Sequence, residues 1–117
     1  MGALPNTSVE AHEAIGIAVL VLNGEHDINT VDEVDDRLRR LLESGASVVV
    51  DLSHADFIES RTVGAIVGSA RLAAGRLCVV ACAGTFPARV LDLTGVSEEV
   101  PTCQSVALAV ERLRSPG

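Results

Sequence analysis

Continuous apolar runs take turns with stretches of helical period along this chain, which is the pattern of an α/β domain. Ile17 to Leu22 is the first clear strand, and Asn23-Gly24 reads as its end. An extended piece around Ser8 to His12 is expected ahead of it, paired with it through a turn near Glu13 to Gly16. From Thr30 the period changes, because Val31, Val34, Leu38, Leu41 and Leu42 fall on one face of a helix. Thr30 with Glu33 makes a capping-box pattern, and Gly45 follows the helix end. Acids (Asp32, Glu33, Asp35, Asp36) crowd the first turns and arginines (Arg37, Arg39, Arg40) the later ones. That order suits the helix dipole, so these charges read as a solvated outer face.

Ser47 to Leu52 carries the unbroken β-branched run Val48-Val49-Val50 and reads as a buried central strand. A loop, Ser53 to Asp56, and the segment Phe57-Ile58-Glu59 lead to a second helix with apolar positions Val63, Ile66, Val67 and Ala70. Ser60 stands at or near its N-cap, and Gly75 closes it. Gly64 and Gly68, four apart, are expected to let this helix pack closely on the sheet. Leu77 to Cys82 is another buried strand, ended by Gly84. Pro87 suits the first turn of a short helix that carries Val90 and Leu91 inward until Gly95 stops it. After an extended piece around Val100, the last helix has Ser105 as a cap and a stripe of Val106, Ala109, Val110 and Leu113; Ser115-Pro116-Gly117 frays. With no repeat or internal linker, residues 1–117 read as a single domain, a length at which one core is normal and two would each be marginal.

Composition narrows the function. The formal charge is −7, the only aromatics are Phe57 and Phe86, and all nine basic residues are arginines. Such a surface repels phosphate backbones and anionic headgroups and offers no base-stacking platform, which excludes nucleic acid and favours protein partners or cationic ligands. The longest apolar run, Ile17 to Leu22, is far below the roughly 20 residues of a membrane span, and the polar start lacks a leader pattern. A cytoplasmic protein without membrane insertion is therefore expected. Cys78 and Cys82 lie four apart on one strand, roughly 13 Å at about 3.3 Å per residue, too far to bridge. Cys103 falls in a connection with no evident partner, so three free thiols are expected. His12, His26 and His54 are scattered and neither CxxC nor HxxxH occurs, so no metal or other cofactor is expected.

The glycine cradles for nucleotides and the GxSxG elbow are missing, so no enzyme is expected. Two catalytic alternatives are weaker. Ser60, His54 and Asp51 or Asp56 cluster after one strand as a hydrolytic set would, but a serine opening a helix is far more often structural. Asp27 and Asp51 near strand ends suggest a Mg²⁺ site of phosphoryl-transfer type, but the lysine that accompanies such sites is impossible in a chain without lysine.

Three pieces together carry a resemblance to a known family: Gly24-Glu25-His26-Asp27 with Asn29-Thr30, then Val49-Val50-Asp51-Leu52-Ser53 followed by Phe57-Ile58-Glu59-Ser60, then Leu93-Thr94-Gly95-Val96. From about Gly16 to Leu113 the chain resembles the STAS domains, which include bacterial anti-sigma factor antagonists. The resemblance implies a mixed β-sheet of about four or five strands with about four helices, mostly on one side. The family's Asp-Ser-Ser/Thr-Gly-Leu-Gly segment aligns with Glu59-Ser60-Arg61-Thr62-Val63-Gly64, and its first serine, matched by Ser60, is phosphorylated by the partner anti-sigma factor, a GHKL-type serine kinase. The family's neighbouring aspartate maps to Asp27 and its polar contact positions to Asn29 and Thr30. Asp27, Asn29, Thr30, Glu59, Ser60, Arg61 and Thr62 are thus the implied partner-binding residues. Glu59 replaces the usual Asp, Arg61 a small hydroxyl residue, and Thr62 a glycine. The implied function is a switch that sequesters the anti-sigma factor and frees a sigma factor until phosphorylation releases it and a serine phosphatase resets it. The alternatives are a STAS subunit of a stress-signalling complex or a transporter module that binds without phosphorylation, and a small-ligand or hydrolase α/β domain.

Overall fold

The structure is a computed structural model that describes residues 7–14 and 16–114. Its elements run β1 (Ser8–Ala14), β2 (Ile17–His26), α1 (Val31–Glu43), β3 (Ser47–Asp51), β4 (Ala55–Ile58), α2 (Ser60–Ala73), β5 (Leu77–Val80), α3 (Phe86–Leu93), α4 (Val96–Glu99), β6 (Thr102–Cys103) and α5 (Val106–Arg114). The main sheet has the order β1-β2-β3-β5-β6, with β1 antiparallel to β2 and the remaining pairs parallel. The mixed α/β sheet is as expected, with six strands and five helices among the described residues instead of four or five and four. The expected fraying of residues 115–117 lies outside the described residues, as does part of the turn after β1.

The sheet is buried on both faces, and alternation along the strands decides which helices cover which side. Leu20, Leu22, Val48, Val50, Leu77 and Val79 point to one face, where Val34, Leu38 and Leu42 of α1, Val63 and Ile66 of α2 and Leu91 of α3 complete the main core. Val49, Cys78 and Val80 point to the other, covered by Val106, Ala109, Val110 and Leu113 of α5. The valine run is central, as its composition required. On α1 the charges lie outside, in i,i+4 pairs Glu33–Arg37 (3.7 Å), Asp35–Arg39 (2.8 Å) and Asp36–Arg40 (3.0 Å), all solvent-exposed. Each is worth a few tenths of a kcal/mol, about 0.3–0.5, so they ornament a helix held by its apolar face.

Several local expectations change. β2 does not end at Asn23-Gly24: Gly24 takes φ +81°, a register shift follows it, and the strand continues to His26. Glycine takes that left-handed conformation without steric cost, and the extra residue at the shift is on the partner strand, Asp56, between the partners of Gly24 and Glu25. Beyond the bulge β2 has outrun β3, and the vacated backbone is taken by β4, in parallel, with Glu25 opposite Phe57 and His26 opposite Ile58. The expected loop over Ser53 to Asp56 is therefore half strand. Thr30 and Glu33 form no capping box; Thr30 is the N-cap of α1, but its hydroxyl serves a different bond, described below. Gly64 and Gly68 lie on the exposed side of α2, and a Cβ added at either would meet nothing within 4 Å, so they do not bring the helix onto the sheet. Cys103 is not alone: β6 sets its Sγ 3.4 Å from Cys78 Sγ.

Candidate functional site

The site sits where β2 and β4 end together. Glu59 N–H donates to His26 O at 2.9 Å, which continues the β2–β4 ladder by one bond and fixes the start of α2 beside the β2–α1 loop. In that loop Asp27 Oδ1 accepts from Asn29 N–H (2.9 Å), and Asp27 O accepts from Thr30 N–H (3.1 Å). Local side-chain bonds of this kind hold a turn without help from outside.

Beneath the loop lies His26, fully buried. Its Nε2 is 3.0 Å from Asn23 O, a group that only accepts, so Nε2 carries hydrogen; its Nδ1 is 3.0 Å from Thr30 Oγ1. In the neutral ring the Thr30 hydroxyl donates to Nδ1. Burial pushes the His26 pKa down, against smaller opposing effects of the backbone carbonyl and of Glu33 and Asp27. The unfolded chain then binds a proton near pH 6.5 that the folded chain resists. Stability is therefore fully present above about pH 6.5 and falls as the pH drops below it toward the lower folded value, by at most about 1.4 kcal/mol per unit. Urea titrations at pH 7.5 and 5.5 should show a larger acid loss for the wild type than for His26→Gln; equal losses would mean that the ring is not held neutral.

Ser60 is the first helical residue of α2, one position later than a cap; Glu59 occupies the N-cap with extended geometry and no side-chain cap bond. Ser60 is exposed, and its hydroxyl makes no hydrogen bond among the described residues. Arg61 is exposed and Glu59, like Asp27, half-buried, while Asn29 is exposed. Thr30 and Thr62 are different, at 2% and 0% exposure. These two side chains shape the surface from beneath and cannot themselves meet a partner. Among the described residues Thr62 Oγ1 finds no hydrogen-bond partner. Replacing it with the isosteric valine removes a buried unpaired hydroxyl, so Thr62→Val is expected to raise stability by about 1 kcal/mol in denaturant unfolding.

The catalytic alternatives find no geometry. Asp51 is buried and accepts from Ser53 N–H (3.0 Å) and the Ser53 hydroxyl (2.5 Å), a local turn, and no bond links His54 to Ser60 or Asp51. Among the described residues no three His, Cys, Asp or Glu side chains gather as a metal site would require.

An aromatic pair belongs to the site that sequence reading did not place there. Phe57 of β4, three residues before Ser60, stacks on Phe86 at the start of α3, with ring centroids 5.5 Å apart and planes at 24°. Both remain exposed, at 36% and 44%. Thr85 caps α3 by accepting from Ala88 N–H, which holds Phe86 on the first turn.

The site is thus an exposed serine at the start of α2, set at one end of a mixed sheet beside the β2–α1 loop. Over residues 8–109 the sequence matches the STAS domain, and the chain belongs to that family. A search of curated proteins gives no significant match. Among solved structures the fold is similar to an anti-sigma factor antagonist from Mycobacterium paratuberculosis (TM-score 0.85, 19% identity, 98% of this chain and 100% of that one). It is also similar to the anti-sigma factor antagonist SpoIIAA in its unphosphorylated form (TM-score 0.73, 16% identity, 93% and 100%). The phosphorylated form of SpoIIAA, a Bacillus cell fate determinant, gives a TM-score of 0.67 at 16% identity, over 92% and 100%. At these identities the likeness speaks to the fold. Among the described residues no helix is long and apolar enough to cross a membrane.

Proposed function

We propose that this STAS domain is an anti-sigma factor antagonist whose binding is switched by phosphorylation of Ser60. One observation carries the reading: the serine that aligns with the family's phosphorylated position is exposed and unbonded, on a helix start fastened to the Asp27–Thr30 loop. Asp27, Asn29, Glu59, Ser60 and Arg61 form the accessible contact surface, with Thr30 and Thr62 as its support. The partner is an anti-sigma factor of the GHKL serine-kinase type, met in the cytoplasm, and a serine phosphatase restores the free hydroxyl. A phosphate there adds about −1.5 to −2 charge, enough to rewrite an interface. The protein itself performs no catalysis in this scheme.

Affinity purification of the tagged chain with intact-mass measurement tests the proposal. Capture of a serine kinase, and a phosphate adduct on the wild type that Ser60→Ala abolishes, are the expected results. A partner captured with no phosphate formed by it would move the chain to the alternative, a STAS subunit that binds without modification. Nucleotide or ester hydrolysis by the pure protein that is lost in Ser60→Ala would instead make it an enzyme.

A further inference from the structure

Strand β1 stands at the end of the sheet, and among the described residues no strand pairs with its outer edge. It packs chiefly on β2, with Val9 buried and the rest of the strand exposed. The bonds around it decide which of its backbone groups look outward. Glu25 N–H donates to the Thr7 hydroxyl at 3.2 Å, on the β1 side of β2. Gly24 N–H donates to His54 O at 3.0 Å and His26 O accepts from Glu59 N–H at 2.9 Å, both on the β4 side. Successive residues of a strand alternate in this respect, so Ile17, Val19, Val21 and Asn23 also turn toward β1, where Ala14, His12, Glu10 and Ser8 lie opposite them. Val9, Ala11 and Glu13 therefore present N–H and C=O at the outer edge.

We propose that this edge docks a second copy of the chain, β1 against β1 in antiparallel, about a two-fold axis at Ala11. Antiparallel pairing sets outward residues opposite outward residues, so the axis falls on a residue and not between two. An axis at Glu10 or at Glu13 would set two carboxylates against each other, one at His12 two imidazoles, and one at Val9 would pair only the first half of the strand. With the axis at Ala11 the whole of Ser8–Ala14 pairs, and Val9, Ala11 and Glu13 of each copy exchange main-chain bonds with Glu13, Ala11 and Val9 of the other. Glu10 then lies opposite His12 of the second copy, and His12 opposite its Glu10. Opposite charges directly across such a pair favour it, and like charges oppose it. Glu10 is already held on that face, its Oε2 accepting from the Asn23 amide at 2.7 Å. Acids on an edge strand deter most pairings, and here they select this register. The general repulsion between two chains of charge −7 is screened beyond about 8 Å at physiological ionic strength. The pairing lies on the side of β2 away from β4, so it does not draw on the surface proposed above for the anti-sigma factor.

Sedimentation of the full chain in a concentration series at physiological ionic strength tests the proposal. The wild type should rise from 12.1 kDa toward twice that mass. His12→Glu sets carboxylate against carboxylate on both sides of the axis and should dimerise about tenfold more weakly. The exchanged double variant Glu10→His, His12→Glu keeps the two groups opposite each other and should recover most of that loss. Ala11→Pro removes the outward N–H at the axis and should stay monomeric; an edge position whose N–H points outward tolerates proline, and thermal unfolding checks that each variant is folded. In NMR amide exchange, Val9, Ala11 and Glu13 should become protected as the concentration rises. A mass of 12.1 kDa at every concentration would overturn the proposal. So would a dimer as tight in His12→Glu and Ala11→Pro as in the wild type, or protection of those three amides that does not depend on concentration.

Discussion

Ser60→Glu and the Ser60 phosphoprotein are expected to fold as the wild type does and to bind the anti-sigma partner at least tenfold more weakly, a loss of about 1.4 kcal/mol or more. Folding tolerates the charge because Ser60 is the first residue of α2, where free N–H groups and the helix dipole favour an anion. Docking does not tolerate it. In a desolvated interface the new charge lies next to Glu59 and across the loop from Asp27, and like charge and lost water both oppose association. Ser60→Ala should bind as tightly as wild type while escaping modification. Its stability cost should be small, since the hydroxyl makes no cap bond and alanine suits a helix interior. Arg61 is exposed with no ion pair among the described residues, so it is free to shield a phosphate. The double variant Ser60→Glu, Arg61→Ala should therefore bind more weakly than Ser60→Glu alone. Titration calorimetry with the purified partner reads all four, and equal affinity for wild type, Ser60→Glu and phosphoprotein would leave the chain a STAS domain without this switch.

What the sequence made legible is what burial writes locally. The run Val48-Val49-Val50 and the stripe Val34, Leu38, Leu42 carry their environment in their own spacing, because a sheet interior and a helix face impose fixed periods on hydrophobicity. β4 carries no such mark: of its four residues only Ala55 and Ile58 are buried, and it is a strand because β2 presents an unpaired edge beyond β3. That reason lies thirty residues away and has no local trace. β6 is similar, two residues long and made a strand by β5, which is why Cys103 looked solitary. His26 left a signal that was readable: Ala18, Leu20, Leu22 and His26 share the inward parity of β2, which runs unbroken past Gly24 because the extra residue of the bulge is on the partner strand. The site residues themselves came from motif likeness. Which of them face solvent and which lie beneath required coordinates, since Thr30 and Thr62 are as polar in the sequence as Asn29 and Ser60.

Phe57→Ala is expected to weaken partner binding about thirtyfold, roughly 2 kcal/mol, while leaving the fold intact. Two exposed aromatics stacked on each other, in a chain that has no others, leave apolar faces in water three residues from the proposed switch. Rings of this size supply the largest contact area per side chain, and aromatic anchors in the centre of an interface dominate its energy. Acids rim the pair: Glu25 lies opposite Phe57 on β2, and Asp56 and Glu59 flank it along the chain. A partner surface that is apolar at its centre and basic at its edge fits this arrangement, in keeping with the net charge of −7. Phe86→Ala should cost a comparable amount, and the double variant less than the sum, since each ring positions the other. Leu108 supplies the control. It is 51% exposed on α5, the helix on the opposite face of the sheet, and Leu108→Ala should leave affinity unchanged. Unaltered binding by folded Phe57→Ala would move the interface away from the β4–α3 surface; an equal loss in Leu108→Ala would show that the partner grips the domain elsewhere.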